Sequence, residues 1–167
     1  HPMYSATLIL FLSMPLVLHS LTTESVRAAK KYLYYSMGGA FIALFGLFYL
    51  FNYGGNLDFS TYGGLEIFKE GTFTGNKTIL HVAVLALIVG FSAKAGMFPL
   101  HGWLPTAHPV APSPASAVLS GVITKAGVIC VIRIVYFVVG PDFIRNTFVQ
   151  YTWLSLASFT VFMGSLL

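Results

Sequence analysis

The stretch from Gly90 to Arg133 reads GFSAKAGMFPLHGWLPTAHPVAPSPASAVLSGVITKAGVICVIR, and it determines the fold class of the chain. It contains two apolar runs, each of which carries a single lysine, Lys94 in the first and Lys125 in the second. A lysine in the hydrocarbon core of a membrane is costly, and such residues usually have a function. Two of them in consecutive runs therefore indicate a functional site.

The segment between the two runs, residues 99–114, is rich in proline. The proline spacing excludes one regular helix, and Pro99 and Pro105 are predicted to shape a break. Few charges and a tryptophan expected at the membrane interface, Trp103, predict a short half-helix or re-entrant turn at membrane depth. Irregular backbone at that depth occurs only where it is buried in protein or lines a watery cavity.

The composition excludes a soluble domain. The chain has 167 residues, of which 56% are hydrophobic and 8% are charged, whereas soluble domains carry about 25% charged residues. We therefore predict an all-α polytopic membrane protein with one membrane domain over residues 1–167. The net charge of +4 is a topology signal in such a chain and does not indicate a nucleic-acid partner. The single cysteine, Cys130, cannot form an internal disulfide.

A membrane span needs about 20 apolar residues, and about five spans are predicted on that basis. They cover residues 3–21, 32–53, 79–98 (broken and continuing over 100–111), 115–139 and 149–167. No signal peptide is predicted, and the apolar runs at both ends of the chain indicate an excerpt of a longer protein.

Two features near the second span predict orientation and packing. The basic collar of Arg27, Lys30 and Lys31 is expected on the cytoplasmic or matrix side of the membrane. The small residues at 38–40, Gly-Gly-Ala, are expected to allow close contact with a neighbouring helix.

The two lysines have different alternatives. Lys94 is either a buried group that exchanges a proton or a residue whose ammonium reaches the membrane interface from the helix end. Lys125 lies near the middle of its span, too deep to reach the interface easily, so a functional role is favoured.

The remaining candidate residues are less specific. His101 and His108 either connect a lysine to water or hydrogen-bond exposed backbone at the break. Arg133 is read as an interfacial anchor or an ion-pair partner, and Glu24 as a first-turn residue paired with Arg27. No catalytic residue and no metal site are predicted.

The strings SAKAGMFPLHGWLPTAHPVAPSPAS and LSGVITKAGVICVIR resemble the antiporter-like proton-translocating subunits of respiratory complex I, multisubunit Mrp-type antiporters and membrane-bound hydrogenases. The runs LSMPLVLHS and RAAKKYLYYSMGG extend the resemblance over nearly the whole chain. The resemblance implies a fold of about fourteen helices with inverted repeats, a helix broken near Lys94, and a proton path on which Lys94 and Lys125 are stations.

One feature of the family is missing. Its broken-helix lysine is usually paired with a glutamate in an earlier helix, at a position that falls near Thr7. The chain has no acidic residue before Glu24. The partner charge for Lys94 therefore either lies outside this sequence or is absent.

The resulting hypothesis is translocation of protons, or of Na⁺, within an energy-converting membrane complex, in which Lys94 and Lys125 relay charge and His101 or His108 connects them to the surface. The chain would be a non-redox subunit of an NADH:quinone oxidoreductase or membrane-bound hydrogenase, or a Na⁺/H⁺ antiporter subunit. Its partners would be the lipid bilayer and other membrane subunits. The location would be a bacterial or archaeal cell membrane, or an organellar inner membrane.

Two alternatives remain open. The first is a stand-alone secondary transporter with a substrate site at the broken helix, and the second is a structural subunit without a relay. The sequence has no phosphate-binding glycine loop, CxxC pair, nucleophile elbow or set of Fe–S ligands. No cofactor is therefore expected in this chain.

Overall fold

The computed structural model describes residues 15, 17–54, 68 and 76–166. These residues form helices and turns and contain no strand. The helices are α1 (Thr23–Gly54), α2 (Lys77–Ala95), α3 (Leu104–Ala107), α4 (Ser113–Val139), α5 (Pro141–Ile144) and α6 (Phe148–Leu166). Residues 3–14 and 16 of the predicted span over residues 3–21, and most of the loop between α1 and α2, lie outside the described residues.

Three helices within the described part of the chain are long and apolar enough to cross a membrane, at Thr23–Asn52, Lys77–Ala95 and Ser113–Val139. The chain is therefore an all-α, polytopic integral membrane protein, as the composition predicted. Helix α6 has 19 residues and overlaps the predicted span over residues 149–167.

Helix α1 begins at Thr23, well before the predicted span at residue 32. The polar residues before the apolar run are themselves part of the helix, because their small side chains recur at the spacing of a helix and so share one buried face. Ser25, Ala28 and Ala29 are buried while Lys30 is exposed. The hydroxyl of Thr22 caps this start by accepting a hydrogen bond from the Ser25 N–H at 3.2 Å.

Helices α1 and α2 pack antiparallel through a close glycine crossing. A Cβ placed on Gly39 would lie 2.6 Å from the Cβ of Ala93, and one on Gly90 would lie 2.6 Å from the carbonyl oxygen of Gly39. Further along, a Cβ on Gly46 would lie 2.6 Å from the carbonyl oxygen of Ala83. Small residues thus let the two backbones touch, and of the predicted patch at residues 38–40 it is Gly39 that makes the contact.

Helix α4 is continuous but not uniform. It contains two π-helical segments, Leu119–Ile123 and Ile134–Val139. It meets the end of α2 at Gly127, where an added Cβ would lie 2.6 Å from the amide nitrogen of Ala95. The end of α2 and the middles of α1 and α4 therefore converge on one region of the molecule.

Among the described residues, the core consists of two hydrophobic clusters. One lies between the C-terminal ends of α1 and α4, the N-terminal half of α2, α5 and the start of α6. Its residues Leu50, Leu87 and Val139 are buried. The other surrounds the segment after α2 and includes Tyr32, Trp103 and Leu119. The candidate site adjoins this second cluster.

Candidate functional site

Lys94 lies in the last turn of α2 and is half-buried. Its ammonium Nζ donates hydrogen bonds to the hydroxyl of Tyr32 at 3.1 Å and to the hydroxyl of Ser36 at 3.2 Å. Tyr32 and Ser36 are four residues apart on α1 and therefore lie on the same helix face. The Nζ also lies 5.0 Å from the centroid of the Tyr32 ring, within the range of a cation–π interaction.

The glycine crossing explains why these groups meet. Because Gly39 and Gly90 bring the backbones of α1 and α2 together, the α1 turn at Tyr32–Ser36 reaches the α2 turn that carries Lys94. Both α1 residues are buried, at 0% and 3% exposure. Sequence analysis missed them because an apolar run gives no indication of which face of α1 meets α2.

Helix α2 ends directly after Lys94, as the resemblance implied and earlier than the predicted end at residue 98. Gly96 adopts a left-handed conformation, with φ of 82°, which a glycine tolerates without steric cost. Its N–H bonds the carbonyl of Ala93 at 3.3 Å, and the N–H of Met97 bonds the carbonyl of Ser92 at 3.0 Å. These are the two hydrogen bonds of a Schellman cap.

The segment after α2 is mostly turns, and only Leu104–Ala107 is helical. The sequence predicted a short half-helix or re-entrant turn, with the broken span continuing over residues 100–111, and one helical turn lies in that range. Prolines restrict the segment on both sides of this single turn. The Phe98–Pro99 peptide bond is cis.

Trp103 fixes this segment against the Lys94 site. Its side chain is fully buried in the protein, and its predicted place at the level of the membrane interface stays a prediction. Its indole N–H donates to the carbonyl oxygen of Ala93 at 3.1 Å, and its ring packs edge-on against Tyr32 with centroids 5.0 Å apart. Because a buried indole N–H usually finds a partner, the Ala93 carbonyl, which accepts this second hydrogen bond beside that from the Gly96 N–H, explains its position.

Helix α6 also contacts the break. The Phe98 N–H donates to the hydroxyl of Thr160 at 2.9 Å, and that hydroxyl donates to the carbonyl of Leu156 at 2.7 Å. The Phe98 ring packs against Phe159 with centroids 4.6 Å apart. The Phe98 N–H at the break is thus satisfied by a threonine hydroxyl, and hydrogen bonds from the histidines to backbone stay a prediction.

The two histidines share a cavity of about 370 Å³ beneath Gly96, to which Thr160 and Gly164 of α6 contribute. Nδ1 of His108 lies 2.8 Å from the Ser116 hydroxyl. Nδ1 of His101 is buried and has no hydrogen-bond partner among the described residues. A buried polar atom of this kind is usually satisfied by water, and a cavity of this size admits water.

Lys125 has different surroundings. It is exposed on α4, although Gly127, two residues later, packs on the end of α2. The described residues therefore do not bring Lys125 and Lys94 into contact. Arg133 is also exposed.

A second cavity lies at the start of α1 and has a volume of about 360 Å³. It is lined by Glu24, Arg27 and Lys31 on α1, and by residues of the segment after α2 that include Pro105 and Thr106. The charged residues of the predicted basic collar therefore adjoin the break. The pairing of Glu24 with Arg27 stays a prediction.

Within the described ranges, no group of three or more His, Cys, Asp or Glu side chains could hold a metal ion. The position near Thr7, where the resemblance places a glutamate, lies outside the described residues. Among the residues the structure describes, Tyr32 and Ser36 are the hydrogen-bond partners of Lys94.

Comparison with known proteins supports the resemblance. A family model described as "NADH:quinone oxidoreductase/Mrp antiporter, TM" matches residues 5–167. The chain is 34% identical to Hydrogenase-4 component B of Escherichia coli (strain K12) over 110 residues, which are 66% of this chain and 15% of that protein. It is 31% identical to NADH-quinone oxidoreductase subunit N of Desulforudis audaxviator over 147 residues, which are 86% of this chain and 28% of that protein.

A Hydrogenase-4 component F homolog of Methylacidiphilum infernorum is 33% identical over 117 residues, which are 67% of this chain and 24% of that protein. The chain therefore spans between 15% and 28% of the length of these three relatives.

Proposed function

Because the chain belongs to the family of antiporter-like membrane subunits of NADH:quinone oxidoreductases and Mrp antiporters, we propose that it is part of a subunit that moves protons across a membrane. The subunit would work with other membrane subunits in a complex whose redox chemistry, or cation gradient, supplies the energy. The observation that carries this proposal is the half-buried Lys94, held by two neutral hydroxyls directly before a helix break.

This arrangement suits a group that gains and loses a proton. A half-buried amine keeps its charge only if its surroundings compensate for lost hydration, so its protonation responds to nearby charges. The two hydroxyls replace part of the lost hydration of the ammonium but carry no charge of their own. A change of charge elsewhere in the assembly can therefore decide whether Lys94 is an ammonium or a neutral amine.

The cavity that contains His101 and His108 is the proposed route between Lys94 and water. It is lined by Gly96, two residues beyond Lys94, and by both histidines. Histidine exchanges protons near neutral pH. Lys125 is proposed as a further station, supported by its place within the apolar helix Ser113–Val139.

The site favours a proton over Na⁺ as the transported ion. The hydroxyl oxygens of Tyr32 and Ser36 face the ammonium of Lys94. A second cation placed at the same oxygens would be repelled by that charge. A lysine amine binds a proton directly.

The test is Lys94→Met in the full-length protein within its native membrane, with Lys77→Met as the matched control. Lys77 is the exposed first residue of the same helix. Proton uptake into inverted membrane vesicles is followed by quenching of an acridine dye after addition of NADH or hydrogen, with and without sodium. We expect Lys94→Met to lower uptake by at least about tenfold, a barrier change of about 1.4 kcal/mol, while Lys77→Met matches the wild type.

Wild-type uptake in the Lys94→Met vesicles, with the subunit present at its normal amount, would overturn the proposal in favour of a structural subunit. Uptake that requires sodium in the wild type would assign Na⁺ as the coupling ion.

A further inference from the structure

We infer that the cavity at the start of α1 binds the phosphate headgroup of an anionic phospholipid. This cavity, of about 360 Å³, lies between α1 and the segment after α2, and its volume falls within the range of ligand sites, about 300–1,000 Å³. It is distinct from the cavity that His101 and His108 share, although Pro105 and Pro109 line both. The inference goes beyond the proposed function, because it concerns a ligand and does not depend on whether the chain moves protons.

The charges that line the cavity complement a lipid phosphate. Arg27 and Lys31 contribute two positive charges and Glu24 one negative charge, so the described lining residues have an excess of one positive charge. The phosphate diester of a lipid such as phosphatidylglycerol carries the opposite charge. A guanidinium offers a phosphate two parallel N–H donors, and an ammonium adds a point charge.

The two basic side chains are arranged on one face of α1. Arg27 and Lys31 are four residues apart and are therefore neighbours on the helix surface. Lys31 is half-buried, and a Cβ placed on Gly102 would lie 3.7 Å from its Cε. The stem of Lys31 thus lies against the segment after α2. A side chain that is already held by packing loses less conformational freedom when a ligand binds.

The depth of the cavity matches that of lipid headgroups. The candidate span of α1 begins at Thr23. By the rise of about 1.5 Å per residue, Arg27 lies about 6 Å and Lys31 about 12 Å along the helix from that start. The headgroup layer on each side of a bilayer is about 5–8 Å thick, and a lysine extends its stem to place the ammonium in that layer. The basic groups therefore meet the lipid phosphates at their own level.

The remainder of the lining distinguishes a lipid from a free phosphate ion. A lipid phosphate continues into glycerol and acyl chains, which need apolar surface, whereas inorganic phosphate has no apolar part. The cavity supplies such surface beside the basic groups, from Ala28, Pro105, Pro109 and Val110. Basic cavities between membrane helices bind lipid headgroups in this way.

A bound headgroup would connect α1 to the break. Its phosphate would contact Arg27 and Lys31 on α1, and its glycerol would contact Pro105 and Val110 on the segment after α2. The hydrophobic cluster around Tyr32 joins the same two parts of the chain. The lipid would therefore reinforce the packing that positions the segment after α2.

The experiment measures binding of phosphatidylglycerol to the purified full-length protein in detergent micelles by native mass spectrometry. The wild type is compared with Arg27→Gln and Lys30→Gln. Lys30→Gln is the matched control, because Lys30 is exposed on the same end of α1 and is not among the described residues that line the cavity. Each variant removes one positive charge, so general attraction to an anionic lipid falls equally in both.

We expect Arg27→Gln to weaken binding of the first phosphatidylglycerol molecule by at least about tenfold, because hydrogen bonds to a charged group are lost. Lys30→Gln should weaken it by less than about threefold. If Arg27→Gln does not accumulate in the membrane, Arg27→Lys, which keeps the charge but not the paired donors, should weaken binding by a smaller amount than tenfold and by more than Lys30→Gln.

Three results would overturn the inference. Equal binding to Arg27→Gln and Lys30→Gln would show that the cavity holds no lipid phosphate, as when another segment of the full-length protein fills it. Phosphatidylcholine that binds as tightly as phosphatidylglycerol would show that the site does not select an anionic lipid. Displacement of the lipid by an equal concentration of inorganic phosphate would make the ligand a free anion.

Discussion

Lys94 and Lys125 give the same signal in the sequence, a single lysine in an apolar run, but the structure surrounds them differently. Lys94 is half-buried and bound by two hydroxyls and an aromatic ring. Lys125 is exposed on α4 beside apolar side chains such as Val122, Val128 and Ile129. The described residues thus build a site for the first lysine only.

The two environments have different origins. The environment of Lys94 is formed by a helix crossing, a helix end and a buried tryptophan, all of which lie within the described residues. An exposed lysine in a spanning helix is costly in lipid, so Lys125 is expected to face protein or water when the full-length protein is in its membrane. Substitutions around each lysine can separate the two environments.

The largest effect is expected at Trp103, the residue that fixes the break against the Lys94 site. Trp103→Ala removes a fully buried side chain and the hydrogen bond to Ala93, and losses of this kind cost about 3–5 kcal/mol. The free energy of unfolding of the full-length protein in mixed detergent micelles would measure it. Trp153→Ala, at a partly buried position on α6, should cost less, and equal losses would show that Trp103 has no special role.

A smaller effect is expected where α4 meets α2. A Cβ on Gly127 would lie 2.6 Å from the amide nitrogen of Ala95 and 3.0 Å from the Cβ of Lys94. Gly127→Ala should therefore cost about 1–3 kcal/mol in the same unfolding measurement. Gly121, on the same helix, has nothing within 4 Å of an added Cβ, so Gly121→Ala should not destabilise the protein. A neutral Gly127→Ala would refute the close packing of α4 on the Lys94 turn.

Much of the fold followed from the sequence, for physical reasons that are local. Proline spacing predicted irregular backbone after residue 98, because proline constrains its own neighbours, and the resemblance implied that the break lies near Lys94. The partners Tyr32 and Ser36 could not be predicted, since the face that α1 turns to α2 is set by the crossing at Gly39 and Gly90. The burial of Trp103 likewise depends on a carbonyl that becomes available only when α2 ends.

The sharpest contrast, and at Lys125 the smallest effect, is expected from replacing each lysine by methionine. Lys94→Met leaves the hydroxyls of Tyr32 and Ser36 without that hydrogen-bond donor, at a cost of about 1–3 kcal/mol. Lys125→Met changes an exposed residue and should alter the unfolding free energy by less than about 0.5 kcal/mol. The reverse order would show that Lys125, and not Lys94, is the structurally embedded lysine.

The proposed function requires that Lys94 changes its protonation state while the protein works. This can be observed in the nitrogen-15 NMR signal of the Lys94 Nζ in the full-length protein, reconstituted in lipid bilayers and assigned with the Lys94→Met variant. We predict that the signal passes from ammonium to amine over the pH range in which proton uptake declines. A Lys94 signal that stays in one protonation state throughout that range would show that this lysine does not carry the proton.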